Sequence, residues 1–192
     1  MRGRSPVVAM VAMLLVVAGA CSSSSKHHAA ATTTTSTTAA TTSTTAATTS
    51  TTAFTGSTTP VSIASTAKGT ASMSAIRVAG QAGFDRVVIE FSGDGAPGID
   101  VAYDDHPVAD GSGAPVTVEG TTTLKVRLFP ATSIDYTGPG RVKGDTKQVT
   151  EVVRGGDFEA VLTWFIGVRA KVPFHVSVLS NPTRVVVDVA AP

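Results

Sequence analysis

From Arg86 to Val189, apolar and polar residues alternate in short runs. Val87, Ile89 and Phe91 are interleaved with Arg86, Val88 and Glu90, and Leu124, Val126 and Leu128 with Lys125 and Arg127. Further on, Phe174, Val176 and Val178 alternate with His175 and Ser177, and Val185, Val187 and Val189 with Arg184, Val186 and Asp188. Successive side chains of a strand point to opposite faces, so a period of two in β-branched residues predicts strands buried on one face. Gly155-Gly156-Asp157, between residues 151–154 and 158–168, predicts a hairpin turn. Leu162, Trp164, Ile166 and Val168 share one face, which places the tryptophan in the core. Tyr103 shares parity with Ile99 and Val101 and is expected to be half-buried, whereas Tyr136 falls at the edge of a loop. No window carries a helical stripe longer than about two turns. Short strands, Gly/Pro-rich connections and no strand–helix alternation together predict an all-β fold, an antiparallel sandwich or barrel.

These runs define a domain at residues 76–192, long enough to bury roughly two thirds of its unfolded surface without staples. The sequence ahead of them is of another kind. Arg2 and Arg4 precede an apolar stretch from Val7 to Ala18, followed by Gly19-Ala20-Cys21. That stretch is shorter than the roughly 20 apolar residues that span a bilayer. Residues 1–20 with Cys21 resemble a bacterial lipoprotein signal peptide, with Ala18 where that signal usually carries leucine. The resemblance implies that the Cys21 thiol takes a diacylglyceryl group and becomes the mature N-terminus. The protein would then be extracytoplasmic, held by lipid on the outer face of the cell membrane, with about 0.8 kcal/mol of anchoring per buried methylene. Cys21 is the one cysteine in the sequence, so no internal disulfide is available and the fold relies on its packed core. Residues 21–75 are dominated by Thr, Ser and Ala, with Lys26 and Lys68 as the only charges. Such a tract buries too little apolar surface to offset ordering entropy and is expected to be a disordered stalk. His27-His28 within it have no third ligand fixed nearby and are not read as a metal site.

Charge divides unevenly along the chain. All 14 Asp and Glu lie in residues 76–192, against 11 of the 15 Lys and Arg, a difference of −3. A net acidic domain disfavours nucleic acid as partner, since phosphate binding needs a basic face. Asp100, Asp104, Asp105, His106 and Asp110 crowd a segment ending Gly111-Ser112-Gly113, but their spacing is not that of a calcium loop, and a solvated turn uses the same residues. His175 and Ser177 share a strand face without an elbow motif or a third member, and two domain histidines are too few for a histidine-built zinc site. No metal, cofactor or catalytic residue is therefore expected. For ligand binding the candidates are Tyr136, with Arg141 and Lys143 in the expected exposed loop 138–147, and Arg86 and Arg184 on two strands. Arg141 offers a planar fork for carboxylates such as those of peptidoglycan stem peptides; Arg86 and Arg184 either bind ligand or pair with Glu90 and Asp188.

Asn181-Pro182-Thr183-Arg184-Val185-Val186-Val187-Asp188 resembles the last strand of AMIN domains, and Gly83-Phe84-Asp85-Arg86-Val87-Val88-Ile89-Glu90-Phe91 resembles their opening strand, in particular that of the actinobacterial AMIN-like branch. Tyr136-Thr137-Gly138-Pro139, Val149-Thr150-Glu151-Val152-Val153 and Gly156-Asp157-Phe158-Glu159 are similar to the middle of that branch. The resemblance implies a single antiparallel β-sandwich that attaches to the cell envelope, typically to peptidoglycan. No amidase or secretin segment accompanies it here, so the expectation is a non-catalytic module that binds the wall or recruits an envelope protein. Two alternatives compete: a carrier of an apolar ligand between the sheets, and a hydrolase using the Asp100–Asp110 carboxylates.

Overall fold

The structure, a computed structural model, describes residues 54–192. Its eleven strands are β1 (Val61–Ile63), β2 (Ala71–Gln81), β3 (Phe84–Ser92), β4 (Gly98–Tyr103), β5 (Thr122–Phe129), β6 (Ala131–Thr132), β7 (Arg141–Lys143), β8 (Val149–Phe158), β9 (Val161–Val168), β10 (Phe174–Leu179) and β11 (Thr183–Ala190). They form a six-stranded sheet in the order β1-β4-β5-β9-β8-β7 and a five-stranded sheet in the order β10-β11-β3-β2-β6. All pairs are antiparallel except the short β2–β6 contact. The two sheets face each other as an all-β sandwich.

The alternation in sequence is what fills the space between them. Val87, Ile89 and Phe91 of β3 lie in register with Val187, Val185 and Thr183 of β11 and point inward, against Val126, Leu128, Trp164 and Ile166 of the other sheet. Each fully buried aliphatic or aromatic side chain contributes about 1.5–3 kcal/mol relative to exposure. The interior is closed by side chains, with Trp164 and Phe91 among the largest buried. Tyr103 is half-buried as expected, its hydroxyl donating to Val172 O at 2.7 Å.

Sheet structure begins ahead of residue 76. Strand β1 pairs with β4, Val61 and Ile63 pack on the core, and Ser57 bridges to Phe174. Threonine and serine are compatible with strands once a partner is present, and the Val61-Ser62-Ile63 alternation suffices for an edge. The Gly155-Gly156 hairpin is also corrected. These glycines lie inside β8, at a bulge between Arg154 and Gly156, and the chain reverses at Glu159-Ala160, with φ of 51° and 59°. The glycines serve close approach instead: a Cβ on Gly155 would lie 2.4 Å from the Phe165 ring, and one on Gly156 2.6 Å from Asp110.

Asp110 belongs to a strap, residues 104–121, that crosses the outer face of the six-stranded sheet. Asp110 N donates to Gly155 O at 3.1 Å, and a Cβ on Gly167 would lie within 2.9 Å of Val118. Beneath the strap Phe165, Thr163 and Glu151 are fully buried on the face opposite Trp164. That is why β9 is buried on both faces.

Candidate ligand-binding site

The sequence-derived candidates fall into two groups on different parts of the sandwich. Arg86 and Arg184 lie on the outer face of the five-stranded sheet. Arg86 holds Asp188 through two hydrogen bonds, Nε to Oδ1 at 2.7 Å and Nη2 to Oδ2 at 2.8 Å, which joins the two signature strands across the β3–β11 pairing. Its pKa is raised above the ordinary value by the hydrogen bonds it donates to Asp188, with burial opposing and the carboxylate charge adding. Arg184 faces Glu90 in register, yet Glu90 is taken by Arg77 at 2.7 Å; Arg184 Nε donates to Pro182 O at 3.2 Å.

Arg141 and Lys143 sit on β7, so the expected exposed loop contains an edge strand. Its outward side chains reach the edge of the strap and stay exposed. Arg141 donates through Nη1 to the buried Glu151 and through Nη2 to Thr117 O at 3.0 Å. Lys143 Nζ lies 2.5 Å from Glu119 Oε1 and 3.5 Å from Glu151 Oε2, contacts that raise its pKa, the hydrogen bond to Glu119 most of all. These cations therefore close the strap over Glu151. Three of the aspartates of residues 100–110 go to separate partners, Asp100 to Ser62 and Arg127, Asp104 to His106 N and Lys125, and Asp105 to Thr122, while Asp110 Oδ2 is buried without a hydrogen-bond partner among the described residues. Cys21, His27 and His28 lie outside the described residues.

Tyr136 is in a different setting. Its ring meets Trp164 edge-on, with centroids 6.1 Å apart and planes at 78°. The guanidinium of Arg154 stands 6.0 Å from the Tyr136 ring and 5.9 Å from Trp164. Burial raises the Tyr136 phenol above its ordinary value, and the charge of Arg154 opposes that. Arg154 pairs with Trp164 across β8–β9 and so occupies the register of the core, at the border of the sheet. Beside it, Asp157 Oδ2 accepts from Ser133 N at 2.5 Å, Ser133 Oγ at 2.9 Å and Thr132 Oγ1 at 2.9 Å. Ser133 Oγ also accepts from Arg154 Nη1 at 3.2 Å, linking carboxylate and guanidinium through one hydroxyl.

Together Thr132, Ser133, Ile134, Tyr136, Arg154 and Asp157 line an open depression of about 480 Å³. It brings a cation, a carboxylate, two hydroxyls, an aromatic ring and the exposed Ile134 to one place. A depression of about 340 Å³ beside the β10–β11 turn offers Asp94 as its one charged side chain, a poorer donor set. Of the candidates read from sequence, Tyr136 is in the richer site; Arg154, Ser133, Ile134 and Asp157 were missed. The available signal was an arginine amid the valines of β8.

Comparison with protein families matches the AMIN-like domain over residues 71–191, more than half of the 192-residue chain. Comparison with curated proteins and with solved structures finds no match.

Proposed function

This chain belongs to the AMIN-like domain family, and on that footing we propose that it is a non-catalytic cell-envelope module that binds peptidoglycan, held to the membrane by lipid on Cys21. Binding takes place at the Tyr136–Arg154 depression. The observation that carries the reading is Arg154: an arginine braced by two aromatic rings, which makes no ion pair among the described residues. Arg86, Arg141 and Lys143 are by contrast already engaged by carboxylates. An apolar cargo between the sheets is not favoured, because side chains such as Phe91, Trp164 and Ile166 occupy that space.

Co-sedimentation of the full chain with insoluble peptidoglycan tests this. Wild type is expected to pellet, Arg154→Ala to lose most of its pelleting, and Lys143→Ala to keep it. Loss with Lys143→Ala but not with Arg154→Ala would move the site to the strap edge. Absence of pelleting by wild type would overturn wall binding.

A further inference from the structure

We infer that the Arg154 depression grips the carboxyl-terminal residue of a peptide, in the wall the stem peptide of peptidoglycan. The inference rests on the wall-binding reading and names the part of the wall that is held. Three groups in the depression have capacity left. Arg154 donates from its side chain only to Ser133 Oγ, at 3.2 Å, so Nε and Nη2 have no acceptor among the described residues. A Cβ on Gly140 would lie 3.3 Å from Nη2, so glycine there keeps that nitrogen approachable. Two free N–H groups on a planar guanidinium match the two oxygens of a carboxylate. The aromatic rings hold the guanidinium in place beforehand, so less rotamer freedom is lost on binding.

Asp157 is the second group. All three of its hydrogen bonds fall on Oδ2, leaving Oδ1 to accept an N–H from a ligand. Ile134 is the third, an apolar side chain 83% exposed at the rim. A carboxylate, a neighbouring N–H and a small apolar side chain are what the last residue of a peptide presents. A neutral sugar offers hydroxyls but no anion for Arg154.

The test uses the full chain and two readouts. The probes are N-acetyl-D-alanyl-D-alanine and its carboxyl-terminal amide, followed by the emission of Trp164, the chain's one tryptophan and a neighbour of Arg154. The free acid is expected to shift that emission and to compete with pelleting; the amide should bind at least about tenfold more weakly, having lost the charge-assisted fork. Arg154→Lys keeps the charge without the fork and should weaken the acid to a similar degree. Ile134→Asp, at an exposed position that leaves folding undisturbed, should weaken it as well. The second readout is pelleting with wall whose stem peptides have been stripped by an amidase, which is expected to fall well below pelleting with intact wall. Equal binding of acid and amide would overturn the carboxyl-terminal assignment and leave wall binding standing. Preference for the acid with equal pelleting on both walls would transfer the site to a protein carboxyl terminus and overturn the assignment to the stem peptide. Failure to pellet with either wall removes the wall-binding reading and this inference with it.

Discussion

Glu151 is a fully buried carboxylate that stays charged because of what surrounds it. Burial alone would raise its pKa. The hydrogen bond from Arg141, the N–H of Glu119 at 2.6 Å and the charges of Arg141 and Lys143 outweigh that, and the net direction is below the ordinary 4.5. Folded protein therefore binds fewer protons here than unfolded chain, between the depressed value and 4.5. Its stabilisation is complete above the unfolded value and is lost as pH falls through the folded one. Urea midpoints taken from neutral pH downward should drop across that window in wild type and stay flatter in Glu151→Gln. At neutral pH the variant should be less stable by about 1–3 kcal/mol, because hydrogen-bonded charges lose a partner in a buried place. A wild-type midpoint that does not move in the acid window would show that the pair contributes nothing to folding. The sequence hid this cluster: Glu119 and Glu151 lie far along the chain from one another, so Arg141 and Lys143 looked like free cations in a loop. Arg154 was hidden by a register shift. A bulge between Val149 and Glu151 moves Val152 and Arg154 to the inner parity, where simple alternation from Val149 would place Glu151 and Val153.

Among the elements, β3, β5 and β10 were legible because one face is buried and the other is more exposed, so period two is written in the residues themselves; β11 alternates in sequence although Val186 and Asp188 on its outer face are buried as well. Strand β9 was legible as a strand but gave no sign of the strap that buries its second face, since the strap's own residues are those of an ordinary polar loop. Strand β1 and the first turn of chain before it were not, for pairing partners decide the state of a Ser/Thr-rich segment and lie elsewhere in the sequence. The β8–β9 hairpin shows how local chemistry misleads: two glycines suggested the turn, while steric crowding by Phe165 and Asp110 is what requires them. The actual turn places Glu159 and Ala160 at positive φ, a conformation that Asn and Gly adopt with less strain. Glu159→Asn with Ala160→Gly should therefore raise the thermal midpoint, with a gain of about 0.5–1 kcal/mol. Both residues are outside the depression, so wall pelleting at fixed temperature should be unchanged. A lowered midpoint would mean that the side chains of Glu159 and Ala160 contribute contacts worth more than the relief of backbone strain.

For the whole molecule, the path of the first described residues bears on how an anchor would act. Phe54 packs on Phe84 of the five-stranded sheet at 5.9 Å, Ser57 bridges to β10, and β1 then joins the other sheet. The N-terminal chain is thereby fastened to both sheets before the family domain begins at residue 71. Any tether pulling from Cys21 is borne by that clasp, and the Tyr136–Arg154 depression need not deform. Covalent geometry limits the chain between Cys21 and Phe54 to about 110 Å at full extension. Under the proposed anchoring, lipid on Cys21 fixes the membrane end and the depression finds the wall within that reach. The two activities should then separate cleanly. Cys21→Ser should abolish the lipid mass increment and shift the protein from the membrane pellet to the released fraction, because several buried acyl methylenes at about 0.8 kcal/mol each are lost together. The same variant should keep its pelleting with peptidoglycan and its Trp164 response to the dipeptide acid, since nothing in the depression has changed. Retention of Cys21→Ser in the membrane pellet, with no lipid on wild type, would replace the acyl anchor by some other attachment. Loss of wall binding in the released variant would instead mean that membrane attachment and wall recognition depend on one another, as expected if affinity comes from two weak contacts held at high effective concentration.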